Sequence, residues 1–382
     1  MKDRNMFKNA HKVLLSCLVV MLSLMIVSCS DDASPAPVTG WTIGYVQNGN
    51  AQTVKILKTS DGGAAWVLQT LPAECEGYAG NDISAVNQDV AWAAVGGDLS
   101  AETKQCAILH TDNGGDEWTV QTLPSGMKTQ HIKNIKGVSS SEAWAVSLLG
   151  DVLHTTDGGA SWKVVEVRDV DGNSIPVQEI NRMDVVGLDI WIVDIMGGET
   201  GVIHSSNGGI TWRQEKLSGM DTLSTGPIVV SAVSSQVTWA AMNKDGYLWW
   251  TSNGGNTWTK SNDTLVANAD YDDICASSAN VIWIAFNGSL TGGGFTARVT
   301  VTDGNFQTNQ TNHPPYMLEG ISPMSNDIAW AVGQRMASIN PDMPMSAIYY
   351  TEDGGVTWLS QTMPTNALDV TLWKVSFVGA RR

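Results

Sequence analysis

An all-β fold, seven blades of four antiparallel strands closed into a propeller, is what this 382-residue sequence predicts. Three observations carry the expectation. An octet ending in tryptophan starts at Thr59, Thr111, Thr155, Ser205, Thr251 and Thr351, with a worn copy from Val301 to Phe306, so successive starts lie 44 to 52 residues apart. A second series of tryptophans precedes the first in each unit: Trp41, Trp92, Trp144, Trp191, Trp239, Trp283 and Trp330. The composition, with 38 Gly and 16 Trp against 5 Phe, fits one recurring unit that needs both residue types.

The chain opens on an address. Lys2, Arg4, Lys8 and Lys12 precede an apolar run from Val13 to Val27, which is shorter than the ~20 residues of a spanning helix and reads as an export signal. Ile26-Val27-Ser28-Cys29 resembles the bacterial lipoprotein box. That resemblance implies a signal peptide over 1–28, a lipid on Cys29 as the only membrane attachment, and an exported lipoprotein at the outer membrane or cell surface of a Gram-negative bacterium. Residues 29–39, with Ser30-Asp31-Asp32 and Ala33 to Pro37, read as a solvated tether. The propeller is expected over 40–382.

Within each unit four short β-rich runs are separated by Gly, Asn, Asp or Ser clusters. In the second unit they are Ile83 to Val86, Ala91 to Val95, Ala107 to Thr111 and Glu117 to Gln121. The first unit lacks an inner strand ahead of Trp41, whereas the chain finishes with Val375-Ser376-Phe377-Val378, which matches Ile83 to Val86 and Ile321 to Met324. The last strand is therefore expected to complete the first blade and hide an edge that would otherwise aggregate.

The octet has the form [ST]-x-[DN]-x-G-x-x-W, the Asp-box. Its chemistry is that of a turn: the third-position Asp or Asn bonds nearby backbone two residues on, the glycine accepts positive φ, and the Trp covers the seam between sheets. Asp61, Asp157 and Asp353 share their position with Asn113, Asn207 and Asn253. An amide cannot replace a general acid or nucleophile, so all six are read as structural. His110, His154 and His204 occupy equivalent places in successive units, where Lys58, Trp250 and Tyr350 stand in others. Such atoms are too far apart for one ~2.1 Å coordination sphere, and neither a metal nor a cofactor is expected.

Strand parity places the Asp-box turns on one face, called lower here, and puts the loops leading into each blade, together with the loops between second and third strands, on the upper face. Ligand-binding candidates at the upper channel mouth are Asp82, Lys133, Asn134, Asn181, Arg182, Asp272, Asp273, Glu319, Trp373 and Lys374, with Tyr78, His131, Tyr271 and Tyr316 in the loops beside them. Parity also sets Cys75 and Cys106 on this face, where an exported protein could bridge them; free thiols are the other reading. Of Trp249 and Trp250, alternation turns one inward.

The sialidase reading fails on chemistry, because the sequence offers neither a convincing arginine trio nor the Phe/Tyr-Arg-Ile-Pro segment. A hydrolase of neutral glycans needs only two opposed carboxylates, and Asp82, Asp272, Asp273 or Glu319 could supply them. The repeat I-x-x-V-x-x-x-x-x-W-A-V-G followed by x-I-L-x-T-x-D-G-G-x-x-W resembles the BNR/Asp-box propellers, in particular the photosystem II stability and assembly factor family and, more distantly, the sortilin luminal domain. The resemblance covers residues 40–382 and implies a noncatalytic module that holds a protein, peptide or glycan. The formal charge is −16, and more negative without the basic first twelve residues. Such a surface repels phosphate backbones, so nucleic acid is not an expected partner, and no photosystem partner is carried over.

Overall fold

Each tryptophan octet folds into a tight turn between the third and fourth strands of a four-stranded sheet, and seven such sheets make up the ring in the computed structural model. The structure describes residues 38–49, 51–97, 106–125, 131–177, 180–196, 199–215, 217, 228–242, 246–261, 269–288, 293–336 and 342–378. The expected signal peptide, Cys29 and the tether up to residue 37 lie outside the described residues.

In the second blade the strands run, from axis to rim, Tyr78–Ala85, Ala91–Gly97, Cys106–Thr111 and Thr119–Val120. The inner strands of blades 2 to 7 are Tyr78–Ala85, Ile132–Gly137, Ile180–Val186, Ile228–Ala232, Ala269–Ser278 and Tyr316–Pro323. The inner strand of blade 1 is Thr371–Val378, from the far end of the chain, paired antiparallel with Thr39–Asn48 so that Val375 lies opposite Thr42. Each inner strand touches the next in an unbroken cycle. The ring thus closes as the sequence predicts, with one blade shared between the two ends.

Seven apolar clusters fill the seven seams. Between blades 2 and 3, for example, Trp92, Ala94 and Ile108 pack on Ile135, Ala145, Leu153 and Trp162. Alternation along the strands sends successive residues to opposite seams, so Ala93 and Leu109 belong to the seam with blade 1. The second-strand tryptophan meets the octet tryptophan of the following blade edge to face, Trp41 with Trp118 at 5.6 Å, Trp92 with Trp162 at 5.9 Å, Trp191 with Trp258 at 5.9 Å and Trp283 with Trp358 at 5.9 Å. This is the favoured geometry for opposed ring quadrupoles.

The residue directly across from each second-strand tryptophan, on the third strand, covers the same ring. His110 stacks on Trp92 at 3.7 Å, His154 on Trp144 at 3.7 Å and His204 on Trp191 at 3.5 Å. Lys58 stands 4.7 Å from the Trp41 centroid, Arg298 6.0 Å from that of Trp283, and Tyr350 4.9 Å from that of Trp330. The three histidines therefore serve three different tryptophans, in a slot that accepts any flat or cationic group. Trp249 is fully buried, while Trp250 tilts onto Trp239 and donates its indole N–H to Ala279 O at 3.2 Å.

The Asp-box turn differs from the simple expectation in its reach. Asp61 Oδ1 takes the Thr59 hydroxyl at 2.7 Å and the N–H of Ala65, four residues on, at 3.0 Å, while Gly63 N donates to Thr59 Oγ1 at 2.8 Å. Asn113 repeats the pattern with Thr111 at 3.0 Å and Glu117 N at 3.0 Å. A single oxygen suffices, which is why Asp and Asn interchange. Gly62 and Gly63 both hold positive φ, 75° and 94°, a region open to glycine without steric cost. In the worn copy Asp303 and Gly304, with φ of 51° and 76°, make a two-residue hairpin instead. Phe306 then takes the octet tryptophan's place, 6.3 Å from Trp239 and edge-on.

Candidate functional site

The channel mouth on the upper face is built by a repeated irregularity. In six blades the inner strand slips register by one residue near its start, at Asn81, Lys133, Asn181, Asp272, Glu319 and Trp373. The described part of the blade 5 inner strand pairs without a slip. A bulge sets two residues against one and re-aims the side chains around it. This explains why four of the six sets of sequence candidates are adjacent pairs, the first member being the bulge and the second following it into the channel wall.

The residues after the bulge are used to join blades. Asp82 Oδ2 accepts from Asn134 Nδ2 at 2.5 Å and from Ile135 N at 2.9 Å; Asn134 Oδ1 accepts from Met183 N at 3.0 Å; Asp273 Oδ2 accepts from Ile321 N at 3.1 Å. Two residues further down, Ser84 accepts from Gly137 N, Asp184 from Ala232 N, Ser231 from Ala276 N, Ser322 from Phe377 N and Ser376 from Ala85 N, at 2.8 to 3.0 Å. Together these side-chain to backbone bonds cross all seven seams. They satisfy inner-strand N–H groups that no fifth strand pairs.

Charged groups pair along the channel wall. Arg182 Nη2 meets Asp273 Oδ1 at 2.5 Å and donates to Asp272 O at 3.1 Å. Lys374 Nζ donates to Glu319 O at 2.6 Å and Asp272 O at 2.9 Å and lies 3.4 Å from Asp273 Oδ2. Lys136 Nζ pairs with Asp184 Oδ1 at 2.7 Å. Burial raises the Asp82 carboxyl above the usual carboxylate range despite Arg182, and burial, aided by Arg182, lowers the Lys374 amine.

The remaining candidates separate by exposure. Tyr271 and Tyr316 lie in blade cores rather than at the mouth: Tyr271 is 1% exposed against Phe286, and Tyr316 donates to Pro344 O at 3.4 Å. The sequence reading puts both, with Tyr78, in the loops beside the mouth; the structure puts all three in inner strands. Glu319 is buried, takes Gln334 Nε2 at 2.7 Å, and is raised by burial. Asp272 Oδ2 accepts from Asn287 Nδ2 at 2.6 Å. Lys133 is exposed, and Tyr78, His131 and Trp373 are partly so. Nothing is described of the Asn181 side chain. Trp373 stacks on Tyr45 at 6.2 Å, an aromatic partner the sequence reading missed. Strand parity could have found it, since the end of Thr39–Asn48 reaches the upper face.

Cys75 packs into the seam between blades 1 and 2, whereas Cys106 packs into the seam between blades 2 and 3; both are thiols in the structure. Burial pushes the Cys75 thiol up to about 11.

A second feature of the upper face went unread in the sequence. A cleft of about 340 Å³ at the outer corner of blade 3 runs beside the rim strand Lys163–Val165. Its other walls are the Gly150-Asp151 turn and an arm from Ser174 to Val177, which folds back through Ile175 N to Val167 O at 2.9 Å. Both lie in loops that parity assigns to the upper face.

Comparison with known proteins agrees with this architecture. The family model for photosynthesis system II assembly factor YCF48 matches residues 122–306. The chloroplastic photosystem II stability/assembly factor HCF136 of Oryza sativa subsp. japonica is 25% identical over 109 residues, 28% of this chain, and the match spans about a quarter (24%) of that relative's length. Among solved structures, YCF48 bound to D1 peptide superposes with a TM-score of 0.53 at 16% identity, covering 78% of this chain and 85% of that one. YCF48 from Cyanidioschyzon merolae gives 0.55 at 15% identity over 85% of this chain and 98% of that one. At these identities the structural likeness shows the fold. The chain is a seven-bladed Asp-box propeller that resembles the YCF48 photosystem II assembly factor family.

Proposed function

We propose that this protein is a noncatalytic recognition or assembly module, held at a membrane by a lipid on Cys29, that binds an extended segment of a protein partner on its upper face. One observation carries the reading: of the four channel carboxylates a hydrolase could use, Asp82 and Asp273 are committed to the ring itself, and Asp272 and Glu319 are each held by an amide of their own blade. Asp82 and Asp273 each accept a backbone N–H from the next blade, and Asp273 also neutralises Arg182 and Lys374. A nucleophile or general acid must instead be free to change protonation and partner during turnover. The resemblance to a family with a member solved bound to a peptide supports the same conclusion. The net charge of −16 favours neutral or basic partners over nucleic acid.

The test uses the full chain in detergent on peptide and glycan arrays, alongside a reducing-end assay over common polysaccharides. Ligand held without product supports the module. Product that disappears in Asp272→Asn/Glu319→Gln, with the fold intact, overturns it in favour of glycan hydrolysis. Incorporation of labelled palmitate, lost in Cys29→Ala, checks the anchor; a wild-type chain that takes up no label refutes it.

A further inference from the structure

We infer that the upper outer corner of blade 3 takes an extended peptide, which adds a strand beside Val164, drops an apolar side chain into the cleft and sets a lysine or arginine next to Glu166 and Asp151. The inference rests on the recognition-module reading and gives it a place and a ligand chemistry.

Backbone geometry comes first. In blades 1, 2 and 5 the N–H of Gln69, Gln121 and Ser261 donates inward to Ile56, Ile108 and Leu248. Blade 3 has the same register relative to its octet, with Val165 opposite Val152 and Lys163 opposite His154. Ladder bonds therefore fall on Lys163 and Val165. Because antiparallel pairing alternates inward and outward, the N–H and C=O of Val164 point away from the sheet. Lys163–Val165 is the last strand of its sheet, so these groups offer an edge that an extended segment can pair with.

Other blades share that edge; blade 3 adds the cleft. Val164 is 49% exposed, and Ile175, Pro176 and Val177 line the cleft with it. An apolar side chain covered there leaves water, which favours binding. The charges select its neighbour. Asp151, Glu166 and Arg168 all line the cleft; Arg168 pairs with Glu166 Oε2 at 2.7 Å and donates to Gly172 O at 3.1 Å, so the lining keeps one net negative charge. On a chain of −16 an acidic peptide is repelled and a basic one attracted.

The experiment presents the full chain in detergent with seven-residue peptides in which Val or Leu alternates with Lys, Gln or Glu. The Lys series is expected to bind best. Glu166→Lys should weaken that series roughly three- to tenfold and strengthen the Glu series. Val164→Pro, which removes an outward N–H and no bond of the blade, should weaken every series; should it disturb the fold, the charge exchange at Glu166 still decides. A Lys series that binds wild type and Glu166→Lys alike overturns this location and leaves the module reading standing. Failure of every series to bind wild type overturns the inference, and blank peptide and glycan arrays would take the broader reading with it.

Discussion

Removing the Asp273 carboxylate separates a channel that holds the ring from one that performs chemistry. In the folded protein this side chain faces two cations, Arg182 at 2.5 Å and Lys374 at 3.4 Å, and accepts the Ile321 N–H across the seam from blade 6 to blade 7. The three side chains are 11 to 13% exposed. Asp273→Ala leaves two like charges facing each other with little water and strands one backbone donor. Breaking a buried pair in this way costs about 3 to 5 kcal/mol, a large part of the ~5 to 15 kcal/mol by which a domain is stable. Asp273→Asn keeps an acceptor for Ile321 and should cost less. Urea unfolding of the full chain, followed by tryptophan fluorescence, measures both. Arg182→Met should be destabilising on its own, and its effect should be strongly non-additive with that of Asp273→Ala. A loss under about 0.5 kcal/mol for Asp273→Ala, with an unchanged denaturant slope, would refute the structural role of these cross-seam contacts and reopen a catalytic one.

Three further outcomes follow from the same geometry. Asp61→Asn should leave the unfolding midpoint unchanged, because Asp61 bonds through Oδ1 alone and Asn113, Asn207 and Asn253 make the same turn, whereas Asp61→Ala should lower it; a loss on going to Asn would contradict the turn chemistry. His313, buried against Tyr349 and Trp358, is pushed down to about 4 by burial. The fold therefore holds it neutral while the unfolded chain protonates near 6.5, so its share of stability is complete above pH 6.5 and drains as pH falls towards 4. That share is on the order of 3 kcal/mol; His313→Gln should flatten the pH dependence of the urea midpoint across this window, and an unchanged slope would contradict it. Deleting Thr371 onward removes the inner strand of blade 1, exposes the edge of Thr39–Asn48, and should yield aggregated or unfolded protein by size-exclusion chromatography; a monodisperse, cooperatively folding truncation would show that ring closure is dispensable.

The fold was largely legible in the sequence because its information is periodic. Octets, the second tryptophan series and the match of Val375 to Val378 with other inner strands each repeat, and repeats survive without knowledge of tertiary contacts. The channel mouth was half legible. Polar residues near the start of the inner strands marked the right place, but one extra residue in a strand leaves no trace in hydrophobic alternation, so the bulges at Lys133, Asp272 and Trp373 could not be told from the residues that follow them. The recurring step from a polar residue to Ile, Met or Val, as in Asp82-Ile83, Asn134-Ile135 and Arg182-Met183, was the available signal. Tyr78, Tyr271 and Tyr316 read as loop residues in the sequence because each bulge breaks the alternation just after them, although each belongs to an inner strand. The blade 3 cleft was not legible at all, since the arm from Ser174 to Val177 has neither period nor motif.

Amide hydrogen exchange of the full chain, with and without the tightest peptide from the arrays, is the most direct measure of where this protein meets its partner. Added protection should fall on Lys163 to Val177 and on the loops leading into the inner strands, with the Asp-box turns unchanged. Protection centred on the turns at 59–66, 111–118 and 155–162, with the upper loops unaltered, would contradict the assignment of recognition to the upper face.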